Sequence, residues 1–126
     1  MILGVPKETA PGEARVALIP ESVARLTKAG VTIQVEHGAG LRAGFPDAAY
    51  QAAGATLADA TTLLGAADLV CKVPKPTADE AAKLKSGAHL VSLLAPATSA
   101  DAIAALDARG VTAFALGLVP RITRAQ

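Results

Sequence analysis

The residues best equipped for chemistry stand together at the end of the chain, in Val119-Pro120-Arg121-Ile122-Thr123-Arg124-Ala125-Gln126. An apolar, strand-like run, Val111 to Leu116, comes before them, and Gly117 breaks it. Open α/β sheets hold their ligands in polar loops past the carboxyl ends of strands. A cation-rich loop at such a place is a candidate ligand site. A globular domain rarely stops inside a loop of this kind, so further chain is expected beyond Gln126.

A second candidate pair is Arg15 and Lys72. Arg15 follows the exit of the first strand-like run, and Lys72 lies near the end of the apolar stretch Leu69-Val70-Cys71-Lys72-Val73. A lysine there is costly to bury without a partner. One reading has it snorkel outward. The other has it meet Arg15 at the carboxyl edge, where the two would hold a carboxylate or phosphate, arginine in bidentate fashion and lysine as a point charge. Gly38, Gly40 and Gly44 follow a strand in the spacing G-x-G-x-x-x-G, one residue too long for a dinucleotide fingerprint. Phe45 and Pro46 stand where the helix should already run, and no strand with a ribose-binding acid follows about 20 residues on. A structural glycine turn is the better reading, so the chain has no dinucleotide cradle of its own. His37 and His89 fall at opposite ends of different strands, without an acid at triad or metal spacing, and read as structural. Lys83 and Lys85 read as a solvated helix end.

The elements that must position these residues alternate along the chain. Ile2 to Val5 reads as a short buried strand ended by Pro6. Pro20 suits the first turn of a helix, Val23 and Leu26 share its inner face, and Lys28 and Gly30 close it. Val31 to Glu36 alternates apolar and polar residues as a strand does. Pro46 starts a short helix through Ala53, closed by Gly54. Ala55 to Leu57 is a weak strand, Asp59 to Leu64 another short helix, and Asp68 to Val73 a strand stopped by Pro74 and Pro76. Thr77-Ala78-Asp79-Glu80 has the capping-box pattern and opens a helix to about Lys85. His89 to Leu94 is a strand, Thr98 or Ser99 caps a helix ending at Arg109 and Gly110, and Val111 to Leu116 is the last strand. This alternation predicts one α/β domain over residues 1–126. Its sheet is open and mostly parallel with helices on both faces, a flavodoxin-like or Rossmann-like three-layer arrangement.

Composition narrows the function further. The chain has 126 residues and a net charge of +1, with no basic stripe and only 2% aromatics, which excludes nucleic acid as a partner. Alanine makes up about a quarter of the chain, so the core is packed from small and aliphatic side chains. The single cysteine, Cys71, rules out an internal disulfide or a cysteine zinc site and reads as a buried, inert thiol. No metal site is expected. The most apolar window, Ala102 to Val119, contains Asp107, Arg109 and Gly110 and is no transmembrane helix. No signal peptide is visible, and a cytoplasmic protein is expected.

Several passages carry a resemblance. Gly4-Val5-Pro6-Lys7-Glu8, Glu13-Ala14-Arg15-Val16-Ala17-Leu18, Val35-Glu36-His37-Gly38-Ala39-Gly40 and Cys71-Lys72-Val73-Pro74-Lys75-Pro76 resemble the N-terminal domain of alanine dehydrogenases and of the alpha subunit of proton-translocating NAD(P) transhydrogenase. The final stretch looks like the transhydrogenase loop that lies over the nicotinamide. Arg121 and Gln126 match the arginine and glutamine of that loop, whose aspartate would fall past the end of the chain. Alanine dehydrogenases carry a histidine where this chain has Ala95. Amino-acid oxidation needs a proton acceptor, whereas hydride transfer between two nicotinamides needs positioning and exclusion of water.

The resemblance therefore implies the NAD(H)-binding component of a transhydrogenase. Arg121, Ile122, Thr123, Arg124 and Gln126 would contact the cofactor, and no acid or base would be assigned. NAD(H) would be held on a following Rossmann domain and NADP(H) on a partner component. The alpha subunits would form a homodimer that joins NADP-binding and membrane-spanning components, peripheral to the inner membrane. Arg15 and Lys72 would match the substrate-binding arginine and lysine of alanine dehydrogenases. The alternatives are an alanine dehydrogenase-type domain, or a unit that is inactive alone and serves in docking or folding.

Overall fold

A computed structural model describes residues 1–9, 14–73, 78–92, 108 and 110–115. Six strands, β1 (Ile2–Val5), β2 (Thr32–Glu36), β3 (Thr56–Ala58), β4 (Leu69–Lys72), β5 (His89–Ser92) and β6 (Thr112–Ala115), form one sheet in the order β3-β2-β1-β4-β5-β6. Every pairing is parallel. This is the doubly wound Rossmann order rather than the flavodoxin order. The weak run at residues 55–57 becomes β3 (Thr56–Ala58), an edge strand, and the strand order reverses between β1 and β4.

Among the described residues, the sheet is flanked by α1 (Pro20–Lys28), α2 (Asp47–Ala52), α3 (Ala60–Ala66) and α4 (Ala78–Lys83). Alternation along each strand sorts the side chains into two cores. Leu3, Val5, Ile33 and Val35 face Val23 of α1 and Tyr50 of α2. Val70 and Leu90 face Leu63 and Leu64 of α3 and Ala81 of α4. Gly4 lies on the α3 side, where a Cβ would stand 2.7 Å from Leu63 Cδ2. Helix α3 is so close there that any side chain would push it away.

Local chemistry sets the helix ends. Pro20 occupies the first turn of α1, with Glu21 beside it at the positive end and Lys28 in the last turn. Asp59 caps α3 by accepting a hydrogen bond from Thr62 N at 2.7 Å. The expected capping residue of α4, Thr77, lies outside the described residues. So does the expected helix ending at Arg109, apart from Ala108, which is helical.

The register between β1 and β4 is short, with only Leu3↔Leu69 and Gly4↔Val70 paired, whereas β1 and β2 pair over four residues. The amino end of that junction is held by Asp68, whose carboxylate accepts from Ile2 N at 2.8 Å and from Lys85 Nζ at 2.6 Å. At the carboxyl end, the strand exits are joined by side chains.

Candidate functional site

The exits of β1 and β4 flank the point where strand order reverses, the usual ligand crevice of such sheets. Lys72, the last residue of β4, shares its face with Val70 and so points toward the α4 layer. It is only 2% exposed, and its Nζ donates to Glu8 Oε1 at 2.7 Å and to Glu80 Oε2 at 3.1 Å. Glu8, 4% exposed, uses its other oxygen, Oε2, to accept from Val73 N at 2.8 Å. One carboxylate thus bridges the two strand exits where the ladder has stopped. Burial raises the Glu8 pKa. The Lys72 charge and hydrogen bond and the Val73 N–H oppose that rise, and the Glu80 charge adds to it.

Lys72 therefore neither snorkels nor stands ready at the edge. Its charge is committed to two carboxylates inside the protein. Arg15 is exposed and lines a separate small, open cleft with Lys7, Glu8, Ala14, Gly38, Ala39 and Arg42. Lys72 is not part of that lining, and Glu8 is the residue that touches both Lys72 and the cleft. The cations gathered around the cleft are Lys7, Arg15 and Arg42 rather than Arg15 and Lys72. Lys7 is anchored by its backbone, which donates to Glu36 Oε1 at 2.8 Å. Its ammonium lies over Gly38, where an added Cβ would stand 3.9 Å from Lys7 Nζ.

The glycine loop after β2 is a packing device. A Cβ on Gly40 would stand 2.6 Å from Tyr50 Cε2 and 2.9 Å from the Phe45 carbonyl oxygen. The Tyr50 ring fills the space a pyrophosphate would need. Its hydroxyl donates to the Leu18 carbonyl at 2.7 Å, and burial pushes its pKa up to about 12. Gly44 closes the short 3-10 turn Leu41–Ala43 with a φ of +93°. Asp47 ties the loop by accepting from Gly38 N at 2.8 Å, with His37 Nδ1 3.7 Å from its other oxygen. After β1, where a Rossmann domain has its glycine turn, this chain has Pro6-Lys7-Glu8 with a buried acid. The described residues do not fit a dinucleotide, and no step can be derived through one there.

The remaining candidates separate clearly. His37 follows the carboxyl end of β2 and His89 opens β5, so they lie at opposite edges of the parallel sheet. Burial pushes the Cys71 thiol up to about 11, away from thiolate chemistry. Among the described residues no group of side chains could hold a metal ion. Arg121, Ile122, Thr123, Arg124 and Gln126 lie outside the described residues, as does Ala95. Sequence reasoning did not single out Glu8, Glu80, Lys7 or Arg42. The only available signal was the charged pair Lys7-Glu8 directly after a buried strand.

Residues 4–126 match the model of the alanine dehydrogenase/PNT N-terminal domain. The chain belongs to this family. It is 45% identical over 127 residues to the NAD(P) transhydrogenase subunit alpha of Cereibacter sphaeroides, covering 100% of this chain and 24% of that protein. It is 40% identical over 115 residues to the alanine dehydrogenase of Bacillus subtilis, covering 91% of this chain and 30% of that protein. The transhydrogenase structure from Sinorhizobium meliloti superposes with a TM-score of 0.89 at 41% identity, over 100% of this chain and 38% of that one. As an alanine dehydrogenase/PNT N-terminal domain, the chain spans about a quarter of the length of the first of these relatives. Among the described residues no helix is long and apolar enough to cross a membrane.

Proposed function

We propose that this chain is the N-terminal part of the NAD(H)-binding component of an NAD(P) transhydrogenase. The observation that carries this reading is the extent of the likeness. The Cereibacter sphaeroides and Sinorhizobium meliloti transhydrogenases match along 100% of the chain at 45% and 41% identity, whereas the Bacillus subtilis alanine dehydrogenase match covers 91% of it at 40%. Ala95 supports it, since alanine cannot accept the proton that amino-acid oxidation releases.

In this reading the chemistry lies in the loop of Arg121, Ile122, Thr123, Arg124 and Gln126. Bound NAD(H), held by a following domain, would supply the hydride. The loop residues orient the carboxamide or pyrophosphate by hydrogen bonding and help keep water out. Orientation is enough, because hydride transfer between NADH and NADP+ requires no protein acid or base. NADP(H) belongs to a partner component, and proton translocation to membrane-spanning partners. The alpha subunits pair as a homodimer, peripheral to the inner membrane. Arg15 lines the cleft beside Glu8, while Lys72 acts structurally.

The test is a complete subunit assayed with its NADP-binding partner. Transfer from NADH to an NADP+ analogue, with no alanine- or pyruvate-dependent turnover, is the expected result. Alanine-dependent reduction of NAD+ without such transfer would replace this reading by an amino-acid dehydrogenase.

A further inference from the structure

We infer that Glu8 is a proton-operated latch on the crevice between β1 and β4: ionised, it ties the two strand exits together, and on taking up a proton it lets go of Val73. The ladder between these strands is short, with Leu3↔Leu69 and Gly4↔Val70 paired. Past it, Glu8 joins the exits, accepting from Lys72 Nζ at 2.7 Å with Oε1 and from Val73 N at 2.8 Å with Oε2. The β1 side of the latch is fixed. Pro6 is buried, and Lys7 N donates to Glu36 Oε1 of β2 at 2.8 Å. On the other side Lys72 stays laddered to Ser92 of β5, so the first residue able to move is Val73.

The latch works through hydrogen-bond valence. A carboxylate accepts at both oxygens, whereas a carboxylic acid keeps one good acceptor and turns the other oxygen into a donor. Neutral Glu8 therefore cannot serve Lys72 and Val73 equally. The buried ammonium keeps the carbonyl oxygen, because a buried charge loses more than an amide when its acceptor is withdrawn. Lys72 also keeps Glu80 Oε2 at 3.1 Å. Val73 is buried, and Pro74 after it brings no N–H, so the Val73 amide must turn toward water at the crevice to find a new acceptor. Among the described residues the charged groups around Glu8 are Lys72 of β4, Glu80 of α4, and Lys7, Arg15 and Arg42 along the cleft, the two arginines having partners of their own. Burial holds the Glu8 pKa above the ordinary 4.5, so it gains its proton at a higher pH than an exposed glutamate does. With the folded value raised, protonation of Glu8 favours the folded state. The release of Val73 is thus a local opening and not the start of acid unfolding.

A pH titration of the full chain by amide NMR, with side-chain carboxyl shifts recorded alongside, tests the latch. The Val73 amide should move upfield with a midpoint above 4.5 that coincides with the midpoint of the Glu8 carboxyl. Its hydrogen-exchange protection, corrected for the intrinsic rate, should fall about tenfold or more, while Val35 and Leu90 in the ladders keep theirs. Glu8→Gln, a neutral mimic of the acid, should hold the Val73 amide at its low-pH position throughout and abolish the response. Glu80→Gln should keep the response but lower its midpoint, since the Glu80 charge raises that of Glu8. The melting temperature of each variant checks that the fold is kept, and if Glu8→Gln fails to fold, the native titration and Glu80→Gln still decide. A Val73 amide indifferent to pH, protection that holds while Glu8 titrates, a midpoint at or below 4.5, or a response that survives Glu8→Gln would each overturn the proposal. None of these results depends on whether the complete subunit transfers hydride.

Discussion

Replacing Lys72 by Met tests the buried charge cluster most severely. Methionine nearly preserves the length and bulk of the lysine stem, so packing changes little. What is lost is the ammonium that donates at 2.7 Å to Glu8 and 3.1 Å to Glu80. Glu8 then remains almost fully buried with only the Val73 N–H to satisfy it, and Glu80 nearby. Removing one partner of a buried ion pair costs about 3–5 kcal/mol. For a domain of this size that is a fall in Tm of about 10–20 °C. Urea unfolding followed by circular dichroism would measure it.

The pH dependence gives a second, independent check. In the native chain Glu8 already has its pKa raised above the ordinary 4.5, chiefly by burial. A carboxyl shifted upward contributes stability that is fully present below its unfolded value and lost as pH rises through the folded value. Without Lys72 the upward shift grows, so the deficit of Lys72→Met should shrink between pH 7 and pH 5. Adding Glu8→Gln to Lys72→Met should cost less than the sum of the two single changes, because the uncompensated charge is gone. A loss below about 1 kcal/mol, or strict additivity of the pair, would refute the assignment of Lys72 as a buried structural cation.

Other outcomes follow from the same geometry. Gly40→Ala should destabilise by about 1–3 kcal/mol, since its Cβ would stand 2.6 Å from Tyr50 and 2.9 Å from the Phe45 backbone. Gly65→Ala should stabilise by about 0.5–1 kcal/mol, because it lies within α3 with nothing within 4 Å of the added Cβ. The paired urea curves decide both. Asp59 and Asp68 should titrate by NMR below the ordinary 3.8. The chief causes are the Thr62 backbone hydrogen bond for Asp59 and the Lys85 hydrogen bond for Asp68. Their shared contribution is present above that value and is lost as pH falls through the folded pKa.

The local elements were legible because their signals are local. Pro20 and Lys28 bound α1 as their chemistry requires, and Gly54 follows α2 with Thr27 against it. Even the edge strand β3 left a trace at Ala55 to Leu57. The order β3-β2-β1-β4-β5-β6 left none, because strand order is set by which faces the helices cover. The role of Lys72 was hidden for a similar reason. Its main partner, Glu8, is 64 residues away in the chain. Glu80 carried a plausible local explanation as a capping-box acid, which concealed its bond to Lys72. Lys7, Arg15 and Arg42 stand apart in the sequence, and only the fold brings them to one cleft.

The central functional claim turns on Arg121. The decisive measurement compares Arg121→Ala with the native residue in a complete subunit, recording both NAD affinity and the rate of hydride transfer to an NADP+ analogue on the partner component. The expected result is transfer slowed by about tenfold or more, with NAD affinity changed much less, as befits a residue that orients rather than anchors. Unchanged transfer, or a loss of rate fully explained by weaker NAD binding, would contradict it.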